Sequence, residues 1–250
     1  KNPVEDFIPV ARITDLLLNP GKPFDFDGVR YEYPNTKLVW WAGGNPFHHH
    51  QDLNLMMQAW QKPETVIVNE WCWNPLAKHA DIVLPCTTPL ERDDMAITPR
   101  DPYVVSMSKL TEPFGQARDD YDIFAGIARA MGVEEEFTQG RSTHEWQRWI
   151  YDKTRERCAD AGLDIPTFDQ FRSQQWFKLE DPSQSIIMLS DFRTDPVAHP
   201  LTTPSGKIEI FNRTVADFGY DDCLGHPVWQ EPYEWLGNAD RYPRHLISNQ

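Results

Sequence analysis

The stretch KLVWWAGGNPFHHHQDLNLMMQAWQKPETVIVNEWCWNPLAKHADIVLP, Lys37 to Pro85, decides the fold. Three short apolar runs punctuate it: KLVWW (37–41), TVIV (65–68) and DIVL (81–84), stopped by Gly43-Gly44, Asn69-Glu70 and Pro85. Apolar runs this short, bounded by turn residues, read as buried strands. Between the first two lies QDLNLMMQAW (51–60), which reads as a helix with Leu53, Met56, Met57 and Trp60 on one face. Between the second and third, NPLAKH (74–79) reads as a short helix with Pro75 in its first turn. Strand–helix–strand–helix–strand with short links is the grammar of a parallel sheet. The fold class expected is therefore α/β, a parallel-sheet domain like those that bind dinucleotides, with flanking α+β segments.

Outside this stretch the pattern is mixed. Asp6 to Leu18 has helical spacing closed by Asn19-Pro20-Gly21, and Phe24 to Tyr33 alternates around Asp27-Gly28 as a hairpin does. PYVVSMSKL (102–110) reads as a strand, Asp119 to Met131 as an amphipathic helix ended by Gly132, and Ser142 to Ala161 as another helix. Gly162 to Asp181 is less regular, TPSGKIEIF (203–211) reads as a turn feeding a strand, and Gly225 to Tyr242 as an ordered connector rich in Pro and Trp. The divisions expected are an opening helix and hairpin (1–36), the α/β domain (37–161), a return segment to a neighbouring domain (162–215) and a connector (216–250). Both ends fall inside patterned sequence, so a fragment of a longer polypeptide is expected.

Composition narrows the function classes. The chain has 250 residues, 40% of them hydrophobic and 25% charged, an ordinary globular balance. No apolar run approaches the roughly 20 residues of a membrane span. A formal charge of -14 argues against a nucleic-acid backbone binder, which needs clustered Lys and Arg. It does not oppose one anionic small molecule held by a few local donors. Cys72, Cys86, Cys158 and Cys223 are widely spaced and form no CxxC pair, against a zinc ribbon, a bacterial-type iron–sulfur run or a disulfide framework.

Ligands of an open parallel sheet lie outside the C-terminal strand ends. The loops after KLVWW and TVIV are accordingly the places to look. Gly43-Gly44 lets backbone approach a ligand without Cβ atoms, Asn45 offers a carboxamide, and Glu70 ends the neighbouring strand. His48, His49 and His50 are adjacent, so their side chains fan apart by about 100° each in a helix and do not converge on one ion. They read as loop residues bonding the backbone and helix start, or as contacts to a bound ligand. LERDDM (90–95) reads on its own as a solvated turn, and Asp119 and Asp120 as helix-start acids.

Taken together and in order, WAGGNPFHHHQDLN, ETVIVNEWCWNPLAKHADIVLP, TTPLERDDM, TPSGKIEIF and FGYDDCLGHPVW resemble the dimethyl sulfoxide reductase family of molybdopterin oxidoreductases. The resemblance is to its trimethylamine N-oxide, dimethyl sulfoxide and biotin sulfoxide reductase branch, and it runs over essentially the whole chain. It implies a large multidomain enzyme that holds a bis(molybdopterin guanine dinucleotide) molybdenum cofactor and moves an oxygen atom from an S- or N-oxide to water. By motif position it implies that Asn45, Asn69, Glu70, Arg92 and Asp120 line the guanosine and pyrophosphate, with His49, His50 and Gln51 from the same loop as Asn45. It places the molybdenum ligand N-terminal to this chain and a β-barrel domain beyond its end, so no catalytic residue and no metal ligand is expected here. An electron donor such as a c-type cytochrome is implied. So is a periplasmic location, or a cytoplasmic one if the protein is of the biotin sulfoxide reductase kind. A non-catalytic nucleotide-binding or assembly module on the same scaffold is the alternative from another class.

Overall fold

The computed structural model describes residues 6–98, 101–179 and 187–232, with Gly237 and Arg244. A 3-10 turn (Val10–Arg12) leads into α1 (Ile13–Leu18). This is shorter than the helix expected from Asp6, because Pro9 sits at its start. Proline drives the residue before it out of helical geometry, so the helix forms only beyond it. The hairpin of β1 (Pro23–Phe26) and β2 (Val29–Glu32) turns through Asp27 and Gly28, whose φ values of 50° and 74° fit a two-residue primed turn.

Three parallel strands follow in the order β3–β4–β5: β3 (Leu38–Ala42), β4 (Thr65–Glu70) and β5 (Ile82–Pro85). Leu38 pairs with Thr65 through to Ala42 with Asn69, and Ile67 pairs with Ile82 through to Glu70 with Pro85. The crossovers carry α2 (Pro46–His49), α3 (Leu53–Ala59) and α4 (Pro75–Lys78). The α/β reading with a parallel sheet holds.

The core of the sheet comes from period-two burial on the central strand. Val66 and Val68 point inward, and Phe47, Met56, Ala59, Trp60, Leu76 and Ala77 pack over them. Burying one such large apolar side chain stabilises by about 1.5–3 kcal/mol. The face of α3 differs from expectation. Met56, Ala59 and Trp60 are buried while Leu53 and Met57 face solvent. Asp52, in the left-handed region at φ 45°, caps α3 by accepting from Leu55 N at 3.1 Å, so the helix starts at Leu53 rather than at Gln51.

An antiparallel ladder of β6 (Asp94–Thr98), β7 (Asp101–Met107) and β8 (Trp176–Lys178) comes next, with β7 central. α5 (Asp120–Met131), α6 (Glu134–Thr138), α7 (Thr143–Asp160) and α8 (Phe168–Gln174) lie between β7 and β8 in the chain. Val104, Tyr151, Ile165, Phe168 and Phe171 form this ladder's core, with Tyr151 stacked on Phe171 at 4.9 Å. Capping boxes at Ser142/Glu145 and Thr167/Gln170 start α7 and α8.

The chain separates into two compact units, Lys1–Lys22 with Glu32–Gln184, and Pro23–Tyr31 with Ser185–Gln250. The second contains the hairpin, α9 (Ser190–Thr194) and α10 (Arg213–Asp217). Within it Gly28 N donates to the Tyr220 hydroxyl at 2.9 Å, and a Cβ on Gly28 would lie 2.5 Å from the Phe218 ring. TPSGKIEIF makes its turn but no strand. Ile208 and Ile210 are 65% and 82% exposed, because an alternating segment becomes a strand only when an edge pairs with it. The Gly225–Tyr242 segment has no helix or strand as far as Pro232, and most of its remainder lies outside the described residues.

Candidate functional site

The parallel register carries the C-terminal ends of β3, β4 and β5 to one edge of the sheet. β3 runs into Gly43 and Gly44, both at positive φ (86° and 72°) with no atom within 4 Å of where a Cβ would stand. Asn45 then caps α2, its Oδ1 accepting from Phe47 N at 3.0 Å, with Pro46 in the first turn. Asn45 is buried, and its Nδ2 has no partner among the described residues. A buried amide donor left without an acceptor is costly, so this loop has a polar demand to meet.

His48 and His49 are exposed, His50 is half-buried and Gln51 is exposed. His50 N closes α2 by donating to Pro46 O at 3.0 Å. Burial, and then the neighbouring His49, hold the His50 imidazole below its ordinary value. Among the described residues, no group of three or more His, Cys, Asp or Glu side chains is arranged to hold a metal ion. His49 ends α2, and His50 and Gln51 follow it on the connection to α3.

β4 ends in two buried polar residues. Asn69 Nδ2 donates to Asp120 Oδ1 at 2.8 Å, and Asn69 Oδ1 accepts from Trp40 Nε1 at 3.0 Å. Glu70 Oε1 accepts from Trp71 N at 3.0 Å, and Oε2 from Asn74 Nδ2 at 2.6 Å. Asn74 in turn caps α4 through Ala77 N at 3.0 Å.

Beyond β5, Cys86 pairs in parallel with Arg118, which brings the start of α5 alongside the strand end. Arg92 is half-buried, donating to Thr87 O at 2.8 Å and Asp94 Oδ2 at 3.1 Å, while Thr87 Oγ1 donates to Asp119 Oδ1 at 2.6 Å. So Asp119 does not cap α5 with its side chain, as a helix-start acid would. Burial, reinforced by the charges of Asp120 and Glu70 and opposed by Arg92, pushes the Cys86 thiol up to about 11. A thiol so disposed is not a nucleophile at neutral pH.

Asn69, Glu70, Arg92 and Asp120 therefore gather around the ends of β4 and β5, and Asn45 stands at the end of β3. Sequence reasoning missed Trp40, Asn74, Thr87 and Cys86 as parts of this edge. Asn74 was within reach, since Asn-Pro before a short helix is a capping signal. Two clefts share Arg118, and the first of them borders the end of β5. One of about 720 Å³ is lined by Pro85, Arg118, Ile123 and Ile127. Another of about 380 Å³ is lined by Arg92, Lys109, Arg118, Asp119 and His144.

The family model described as Molybdopterin oxidoreductase matches residues 28–130, a span that contains all eight candidate residues. The chain is 44% identical to a biotin sulfoxide reductase of Cereibacter sphaeroides, over 99% of this chain and 33% of that protein. It is 43% identical to a dimethyl sulfoxide/trimethylamine N-oxide reductase of Rhodobacter capsulatus, over 97% of this chain and 30% of that protein.

The chain is homologous to molybdopterin oxidoreductases.

It spans about a third of the length of the curated relatives it matches. The structure of acetylene hydratase from Pelobacter acetylenicus shares the fold, with a TM-score of 0.56, 21% identity, and coverage of 83% of this chain and 25% of that one. The molybdopterin oxidoreductase match implies a molybdenum-pterin cofactor. The polar edge fits such a group. Gly43-Gly44 leave the backbone open, Asn45 brings an unsatisfied donor, Asp120 an acceptor and Arg92 a cation.

Proposed function

We propose that this chain is the molybdopterin guanine dinucleotide-binding portion of an S-/N-oxide reductase. The carrying observation is the convergence of Asn69, Glu70, Arg92 and Asp120 at the C-terminal ends of adjacent parallel strands, where an open α/β sheet takes its ligand. The names of the relatives, reductases of biotin sulfoxide and of dimethyl sulfoxide or trimethylamine N-oxide, support the substrate class.

Each residue has a distinct part in this reading. Asp120 accepts the N1–H and N2–H₂ donor edge of guanine, and Arg92 balances pyrophosphate charge through charge-assisted bonds. Asn45 and the Gly43-Gly44 backbone donate to the nucleotide, with His49, His50 and Gln51 lining the same loop. Glu70 shapes the floor, since both its oxygens are bound within the chain. When bound, the molybdenum centre supplies the two-electron chemistry that takes oxygen from an S- or N-oxide and releases it as water. No residue of this chain is assigned to that step, and the chain alone would not turn over substrate. A c-type cytochrome as electron donor and a periplasmic location belong to the same proposal.

The test is reduction of trimethylamine N-oxide, dimethyl sulfoxide and biotin sulfoxide by the intact protein with a reduced dye as electron source. Turnover of at least one is expected. Failure with all three, in protein that carries molybdenum, would overturn the substrate class.

A further inference from the structure

Glu70 and Asp120 both stand at the ligand edge, but their carboxylates are not equally available. Glu70 spends its oxygens on Trp71 N and Asn74 Nδ2. Asp120 receives one donor among the described residues, Asn69 Nδ2 on Oδ1 at 2.8 Å. Asn69 is 4% exposed and is gripped from its other side by Trp40 Nε1 at 3.0 Å. An indole N–H can only donate and a carboxylate can only accept, so the two neighbours demand the same amide orientation. The Trp40 ring also packs on Phe124, with centroids 5.2 Å apart, one turn along α5 from Asp120. The start of α5 is therefore held at two points, a polar one through Asn69 of β4 and an apolar one through Trp40 of β3.

We infer that Asn69 is a positioning residue. Trp40 sets its amide, and the amide fixes Asp120 Oδ1, so that the carboxylate meets the 2-amino edge of a purine in one orientation. Asn69 then governs base selectivity without touching the base. This rests on the guanine reading of Asp120, and the test separates the two.

The measurement is the affinity of the intact, cofactor-free protein for guanosine diphosphate and inosine diphosphate, which differ only in the 2-amino group. Wild type is expected to prefer the guanine nucleotide about tenfold, the scale of one N–H bond to a charged acceptor. Asp120→Ala brings the ratio to near one. Asn69→Leu, and Trp40→Phe with its ring packing kept, bring the ratio down toward one. A loss that was merely structural would weaken both nucleotides equally and leave the ratio unchanged. If Asp120→Ala abolishes the preference while Asn69→Leu and Trp40→Phe retain it, the positioning role is overturned and the guanine reading stands. If wild type shows no preference, the guanine reading falls and the positioning role falls with it.

Discussion

Asn74 Nδ2 donates to Glu70 Oε2 at 2.6 Å while Asn74 Oδ1 accepts from Ala77 N at 3.0 Å, so one side chain both caps α4 and saturates a buried carboxylate. Asn74→Ala removes the cap and leaves Glu70 short of a donor, a cost of about 2 kcal/mol. The readout is amide exchange at Ala77, expected to rise about 30-fold. Asn74→Asp keeps the cap but faces Glu70 with a second carboxylate, and is expected to lose at least as much.

Gly43 and Gly44 make a second prediction, because their positive φ is a conformational demand with no steric component. Alanine at either position costs about 1–2 kcal/mol, whereas asparagine, which visits the left-handed region, costs less. Since the loop is proposed to lie against the cofactor, Gly43→Asn restores thermal stability but not cofactor content. Recovery of both together would show that the loop only shapes the backbone.

Cys86 and Glu91 set opposite pH limits. The thiol's folded value of about 11 lies above its ordinary 9.0 through burial first, then Asp120 and Glu70. Its contribution is present below pH 9 and is lost as pH rises through about 11. Glu91 is held below its ordinary value by the backbone N–H groups of Thr88 and Phe114, which reach it at 2.8 and 2.7 Å. Its contribution is present above about pH 4.5 and is lost as pH falls through the depressed value. Melting temperature against pH should therefore lose slope on the alkaline side in Cys86→Ala and on the acid side in Glu91→Gln. At pH 8 a thiol alkylator should modify exposed Cys72 and spare Cys86.

Ser142 closes a capping box with Glu145, its Oγ donating to Oε2 at 2.6 Å and accepting from Glu145 N at 3.3 Å. Ser142→Ala is expected to destabilise α7 by about 1 kcal/mol. Exchange at the Glu145 amide would report it, with Asn69 and Asp120 unaffected.

The parallel sheet was legible because each of its strands is a compact apolar run with its own stop, and the links are short. Of the antiparallel ladder only β7 was, as PYVVSMSKL, and its partners were not. β6 begins inside the charged LERDDM stretch, and Val105 of β7 pairs with Trp176, a partner that no local pattern names. TPSGKIEIF misled in the opposite sense, since its alternation promised a strand that no edge pairs. At the site, Asn69 and Glu70 could be read as strand-end residues and Asn45 as a turn carboxamide. The bonds from Trp40 to Asn69 and from Asn69 to Asp120 join residues 29 and 51 positions apart, beyond any spacing rule. The histidines followed the same division. Their spacing argued against one shared ion, but only the family resemblance supplied a ligand for their loop.

This α/β edge is proposed to hold the guanine dinucleotide of a molybdenum pterin. The most direct measurement is the molybdenum and acid-released guanine nucleotide content of the intact protein, wild type beside Asp120→Ala and Arg92→Ala. Guanine nucleotide is expected to accompany molybdenum in the wild type and to fall clearly in both variants at unchanged melting temperature. Molybdenum without guanine nucleotide, or full nucleotide content in both variants, would contradict it.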